Sequence, residues 1–324
     1  MKRFWRRQAP ALALAAVLLT GGASALFGKK EAAPEGAPTA QDLAFTTYRD
    51  IPYEAQFLAT DSEGEDLTYA VVKGPNKGTV EIDSTNFTYT PARGATGNDR
   101  FTYTAMDSAG NVSAPATVTV RIERTRSGVT YADTADSPAA AAAQALTEAG
   151  IFTGTKLGEQ YFFEPDRTVS RSEFLALTLE TAGQGVTDVT MTGFCDDAAI
   201  PAWAKAYASA GVAQGIVQGR ATAEGAAFCG EDPITLSEVA TILDRVLDLG
   251  NVDLDVWYAD REAVPSWAAQ AVGNMEALNV LSAGSFGSGE LERAVTRADA
   301  ALMLTAARTL LDGGGTESLL DQLM

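Results

Sequence analysis

Between residues 42 and 124, apolar and polar positions alternate with a period of two. The runs 79–82, 87–90, 100–103 and 117–122 each place their apolar or aromatic residues on one face, the pattern of a half-buried strand. Turn-forming stretches at 74–78, 94–97 and 108–111 separate them. Short strands at this spacing predict an all-β, antiparallel sandwich. After residue 128 the period changes. Val239, Ile242, Leu243, Val246 and Leu247 fall at helical spacing, as do Trp267, Ala271, Val272, Met275 and Leu278.

The helical part repeats. Gly150-Ile151-Phe152-Thr153-Gly154, Gly215-Ile216-Val217-Gln218-Gly219 and Asn279-Val280-Leu281-Ser282-Ala283-Gly284 align, and Pro138, Trp203 and Trp267 lie 12 residues before their starts. Downstream stand three boxes: Ser170-Arg171-Ser172-Glu173, Thr235-Leu236-Ser237-Glu238 and Thr296-Arg297-Ala298-Asp299. A register held at a period of about 64 residues marks a duplicated unit of helix, loop and helix. One helix pair buries too little surface to stand alone. The three units, at 128–184, 190–249 and 253–312, are therefore expected to pack as an all-α bundle around a pseudo-three-fold axis.

The flanks lack both periods. Lys2, Arg3, Arg6 and Arg7, the apolar run 11–19 and Ala23-Ser24-Ala25 follow the order of a secretory signal peptide, expected to end at residue 25. That run is shorter than the ~20 residues of a spanning helix, and no membrane span is expected after cleavage. Residues 26–41 read as a flexible linker, and 313–324 form a tail with no assigned role. Composition then narrows the chemistry. The 324 residues hold 24 Lys and Arg against 42 Asp and Glu, for a net charge of −18, and no histidine. Without imidazole there is no Ser-His-Asp or Cys-His relay and no His-ligated zinc. So acidic a chain is repelled by nucleic-acid phosphates, and nucleic acid is not expected as a partner. A non-catalytic binding or structural protein without cofactors is expected.

Ser or Thr followed three residues later by Glu or Asp, just ahead of an apolar run, is a capping box. Ser170, Thr235 and Thr296 would cap their helices, with Glu173, Glu238 and Asp299 reaching back, at ~1 kcal/mol per box. Capping does not explain an arginine at the first helical position, where the helix dipole disfavours a cation. A guanidinium beside unpaired amides can form an anion site whose fork suits a carboxylate. Arg171 and Arg297 are read in that way, against the plainer reading of two solvated arginines. Leu236 breaks the pattern in the second unit, and Pro138 breaks it in the aromatic slot. Trp203 and Trp267 are open to two readings, stacking on a sugar ring or filling the core. Cys195 and Cys229 both lie in the second unit. In an exported chain they suggest a disulfide, worth about 3–4 kcal/mol, with two free buried thiols as the alternative.

The β-module resembles the bacterial Ig-like and cadherin-like repeats of surface proteins. The matching residues are Ala59-Thr60-Asp61 ahead of Leu67-Thr68-Tyr69, Gly74-Pro75 with Gly78-Thr79-Val80, Phe87-Thr88-Tyr89-Thr90-Pro91, Gly97-Asn98-Asp99-Arg100-Phe101-Thr102-Tyr103, and Asp107 with Gly110-Asn111. Some relatives bind calcium, so Asp61, Asp66 and Asp107 are candidate ligands beside the reading of a solvated acidic turn.

The helical part resembles three tandem S-layer homology domains. Tyr131-Ala132-Asp133, Phe194-Cys195-Asp196 and Trp257-Tyr258-Ala259-Asp260 at the unit starts, Phe163-Glu164-Pro165 and the third box carry the likeness. It implies a secreted, wall-held surface protein whose repeats bind a secondary cell-wall polysaccharide, often through a pyruvate ketal carboxylate. Arg171, Glu173, Gly154, Trp203, Gly219, Trp267, Arg297 and Asp299 would then be the polymer-binding positions. The β-module would be a spacer or adhesive surface, with other surface proteins as further candidate partners. The alternatives are an adhesin whose sandwich carries recognition, and a wall-anchored glycan hydrolase, for which no segment remains to form a catalytic domain.

Overall fold

The structure, a computed structural model, describes residues 36–64, 66–248, 250–252, 254, 264–278, 280–281 and 291–312. The expected signal segment, most of the linker, the tail, Trp257, Tyr258, Ala259, Asp260 and Gly284 lie outside the described residues. The chain divides into two compact units between Val129 and Thr130.

In the N-terminal unit, β1 (Thr39–Ala40) pairs with β4 (Ala59–Thr60). One sheet runs in the order β2 (Leu43–Tyr48), β9 (Ala116–Glu123), β8 (Gly97–Met106) and β5 (Thr68–Lys73); the other runs β3 (Tyr53–Gln56), β7 (Asn86–Pro91) and β6 (Gly78–Asp83). Alternation sets the inner face: Ala116, Val118, Val120 and Ile122 of β9 are buried, whereas Thr119 and Arg121 point outward. Aromatic side chains fill the space, with the Phe57 ring centroid 4.6 Å from that of Phe87 and 4.5 Å from that of Tyr103.

The sandwich is not wholly antiparallel as expected, because β2 pairs with β9 in parallel, Leu43 facing Val118 and Tyr48 facing Glu123. The first and last strands of the larger sheet run the same way, and the intervening module supplies the long crossover that parallel pairing needs.

Asp99, on β8, holds one end of this unit. Its carboxylate accepts the backbone N–H groups of Asn76 (2.9 Å), Lys77 (2.7 Å) and Arg100 (2.9 Å) and the hydroxyl of Tyr89 (2.9 Å). Both Asp107 carboxylate oxygens accept from Asn111, closing the turn between β8 and β9, and Asp61 Oδ1 accepts from the Glu63 amide. Among the described residues, no group of three or more acidic, Cys or His side chains could hold a metal ion.

The C-terminal unit is mixed α/β and not all-α. The first repeated segment holds α1 (Ala140–Glu148), a hairpin of β10 (Thr155–Leu157) and β11 (Gln160–Phe162), and α2 (Arg171–Thr181). The second holds α3 (Ala202–Ala213), the hairpin β12 (Arg220–Thr222) and β13 (Gly225–Ala227), and α4 (Leu236–Leu247). The third holds α5 (Ala269–Ala277) and α6 (Arg297–Asp312). Strands of three residues are too short to register as a period-two run. Gly158 at φ 63° and Gly225 at φ 128° turn them.

Backbone hydrogen bonds close these segments into a ring. Val169 N–H donates to Val295 C=O, Val295 N–H to Ile234 C=O, and Ile234 N–H to Val169 C=O, at 2.9, 2.9 and 3.0 Å. The three residues occupy the same position, immediately before each box. One residue into each helix the pattern recurs, from Arg171 to Asp232 (2.9 Å), Leu236 to Arg293 (3.1 Å) and Arg297 to Arg167 (2.8 Å). A third layer links Ser172 to Gly230, Ser237 to Leu291 and Ala298 to Pro165. Helix packing follows the same cycle, α3 on α2, α5 on α4 and α1 on α6. One continuous apolar core results, with Phe174, Leu175, Ile234, Leu243, Val295 and Leu304 buried in it.

Candidate functional site

The boxes cap their helices. The Ser170 and Thr235 hydroxyls accept the amides of Glu173 and Glu238, whose carboxylates return bonds to the cap amides, and Thr296 and Asp299 exchange the same pair. The first two amides inside each helix already donate to carbonyls of the next segment around the ring. None of these three boxed helix mouths therefore presents a row of free amides to an anion, and that part of the expected mechanism is overturned. The chemistry moves to the side chains.

Both arginines are buried. Arg171 is 6% exposed, donating from Nη1 to Glu238 (3.2 Å) and from Nη2 to the Gln218 carbonyl (3.0 Å), with its guanidinium carbon 5.7 Å from the Phe228 ring centroid. Burial pulls its pKa down, and Glu238 opposes that shift. Arg297 is 9% exposed and reaches the first segment, its Nη1 donating to the Phe163 carbonyl (2.9 Å) and Glu164 (2.7 Å). Its guanidinium carbon lies 5.2 Å from the Phe152 ring centroid. Each arginine thus staples its segment to the next. At the equivalent third position, Leu236 is 3% exposed and apolar.

The box acids carry a second role. Glu173 takes Arg167 at 2.9 Å, Asp299 takes Arg293 at 2.7 Å, and Glu238 takes Arg220 at 2.8 Å. Burial alone would raise the pKa of Asp299, but bonds from Arg293 and Thr296 outweigh it and hold the carboxyl below its ordinary value.

A cavity of about 280 Å³ opens beside Arg297. Its apolar lining combines Leu146, Phe152, Phe163, Val169, Ala176 and Leu177 with Ala300, Ala301 and Leu304 of α6, and Glu173 and Trp203 also border it. Three of the expected binding residues, Arg297, Glu173 and Trp203, therefore meet in one place. Trp203 is 51% exposed and Trp267 is 59% exposed, so the core reading of the two tryptophans fails. Arg171, Gly154, Gly219 and Trp267 do not line this cavity.

Gly154 and Gly219 are packing residues. A Cβ at Gly154 would strike the Phe162 carbonyl and the Tyr131 ring, and one at Gly219 would lie 2.8 Å from the Ala226 Cβ and 2.9 Å from the Phe194 ring. Gly154→Ala is expected to cost about 2–3 kcal/mol of C-terminal-unit stability, read by denaturant unfolding. A loss below half a kcal/mol would contradict this close approach.

Cys195 and Cys229 are free thiols, so the expected disulfide is not formed. The Cys195 thiol is exposed against the Thr222 hydroxyl, whereas Cys229, at φ 55°, stands where the first segment carries Glu164, within electrostatic reach of Arg171 and Arg220. The two side chains serve different neighbours. Local spacing could not reveal that divergence. The apolar wall of the cavity also escaped sequence reasoning, although aligning the three segments four and five residues past each box start would have exposed Ala300-Ala301 against Phe174-Leu175 and Val239-Ala240.

Residues 130–175 match the S-layer homology domain. Residues 35–121 match the bacterial Ig domain. An S-layer homology domain implies a cell-surface, wall-associated protein, here bearing an Ig-like domain. No helix among the described residues is long and apolar enough to cross a membrane. No curated protein matches the chain. Solved structures similar to part of it include an endo-fucoidan hydrolase of glycoside hydrolase family 107, at 22% identity over 30% of this chain and 15% of that one, TM-score 0.23. Others are fibronectin(III)-like modules of CbhA from Clostridium thermocellum, at 17% identity over 28% and 48%, TM-score 0.21, and an SrpA adhesin variant from Streptococcus sanguinis, at 18% over 30% and 61%, TM-score 0.22. The chain spans less than two thirds of each, and overlaps this slight say nothing of function.

Proposed function

We propose that the C-terminal unit holds this protein to the cell envelope by binding an acidic secondary cell-wall polysaccharide in the cavity beside Arg297, and that all three of its repeated segments are S-layer homology domains. The observation that carries the reading is the meeting of a buried guanidinium, an exposed tryptophan and an apolar wall in one cavity. Arg297 uses Nη1 for its protein bonds, and among the described residues its Nη2 has no acceptor. A sugar carboxylate can meet that edge while the sugar ring lies on Trp203. The cyclic backbone bonds and the shared box geometry support the three-repeat reading. The Ig-like module serves as a spacer or adhesive surface, and nothing in this arrangement calls for catalysis.

The test is retention of the full chain on purified walls against walls chemically stripped of their acidic polymer. Equal retention on both would sink the reading. Trp203→Ala is expected to lower affinity about five- to tenfold through lost ring contact, with the melting temperature unchanged because the side chain is half exposed.

A further inference from the structure

We infer that Ala300 and Ala301 are specificity-determining residues that confine binding to one groove of the ring, so that each chain takes a single acidic sugar unit. The inference rests on the wall-binding reading above and adds to it which groove receives the glycan and why.

The cyclic equivalence of the segments allows the grooves to be compared position by position. The groove of Arg297 maps onto that of Arg171, with Glu173 on Glu238 and Trp203 on Trp267. Ala300 and Ala301 then fall on Phe174 and Leu175, which are fully buried. Leu175 fills its groove to contact: a Cβ built on Gly211 would lie 3.2 Å from both of its terminal methyls. Two alanines in the corresponding places withdraw a phenyl ring and an isobutyl group from the wall, only part of which Leu146, standing where the other groove has Gly211, gives back. The cavity of about 280 Å³ is bordered by these alanines.

The guanidiniums differ in the same sense. Arg171 donates from Nη1 to Glu238 and from Nη2 to the Gln218 carbonyl, and its Nε is buried without a partner. Each of its terminal nitrogens is thus tied to the protein, and the third nitrogen is shut off from solvent. Arg297 places both of its bonds on Nη1 and lines the cavity. The third equivalent position is Leu236, which has no charge to offer. Room and a guanidinium nitrogen free of protein bonds therefore coincide at Arg297 among the described residues.

Calorimetry of the full chain with a soluble glycan bearing a pyruvate ketal provides the test, alongside Ala301→Leu and Ala300→Phe, which copy the filled groove. One site per chain is expected for the wild type. Each variant is expected to lose at least about tenfold in affinity. The melting temperature should hold or rise, because the new side chain enters empty space. Binding by both variants at wild-type affinity, or two or more sites on the wild type, would overturn the inference while leaving wall binding intact. A fall in melting temperature of both variants would show that the space is not open to a side chain and would overturn it too. A wild-type chain that binds neither this probe nor purified walls would remove the wall-binding reading and this inference together.

Discussion

Arg171→Ala is expected to lower the unfolding free energy of the C-terminal unit by about 3 kcal/mol, measured by denaturant unfolding of the full chain followed through the tryptophan signal. Alanine removes both guanidinium bonds from the first segment to the second, leaves the Gln218 carbonyl without its donor, and opens a void against Phe228. Glu238 is less affected, since Arg220 still holds it at 2.8 Å. Arg171→Leu separates charge from packing. Leu236 shows that this architecture accepts a buried leucine at the equivalent position, so the leucine variant should recover at least half of the loss. Equal damage from both substitutions would locate the stabilisation in the ion pair, and no damage from either would contradict the staple.

Asp99→Ala is expected to destabilise the Ig-like unit by about 3 kcal/mol or more, because three backbone amides and the Tyr89 hydroxyl lose their common acceptor in a largely buried place. Burial pushes the Asp99 pKa up, but the bonds from Asn76, Lys77, Arg100 and Tyr89 outweigh it and hold the carboxyl below its ordinary value. The sign follows. The contribution is complete above the unfolded carboxylate pKa and is lost as pH falls through the lowered folded one. Acid titration of the wild type, followed by near-ultraviolet circular dichroism, should show this loss, and the alanine variant should lack that part of the pH dependence. A variant whose acid limb matches the wild type would rule Asp99 out as its source.

Local information reached far along this chain. Alternation at Val118, Val120 and Ile122 announces a strand because successive side chains must face opposite sides, and a hydroxyl three residues ahead of an acid announces a helix start through the cap it makes. Whether Arg171 and Arg297 sit in solvent depends on carbonyls contributed by residues 47 and 134 positions away, which no local pattern encodes. The inference of an anion site above free amides assumed that each helix start is solitary. In the folded unit those amides face Asp232, Arg293 and Arg167 instead. The cavity has the same origin. Two alanines in α6 look like ordinary helix formers until a neighbour places a phenylalanine and a leucine at the matching positions.

A loop of contacts with no beginning has a consequence for how the C-terminal unit fails. In a linear stack the outermost element can fray while the remainder stands. Here Leu236 and Ser237 lean on the third segment, and the third segment leans on Pro165 and Arg167 of the first. Cutting away any one segment would sever two junctions and strand amides on one side and carbonyls on the other. Melting should therefore be all-or-none, and a rearranged chain that starts with the second segment and ends with the first could rebuild the same closed figure.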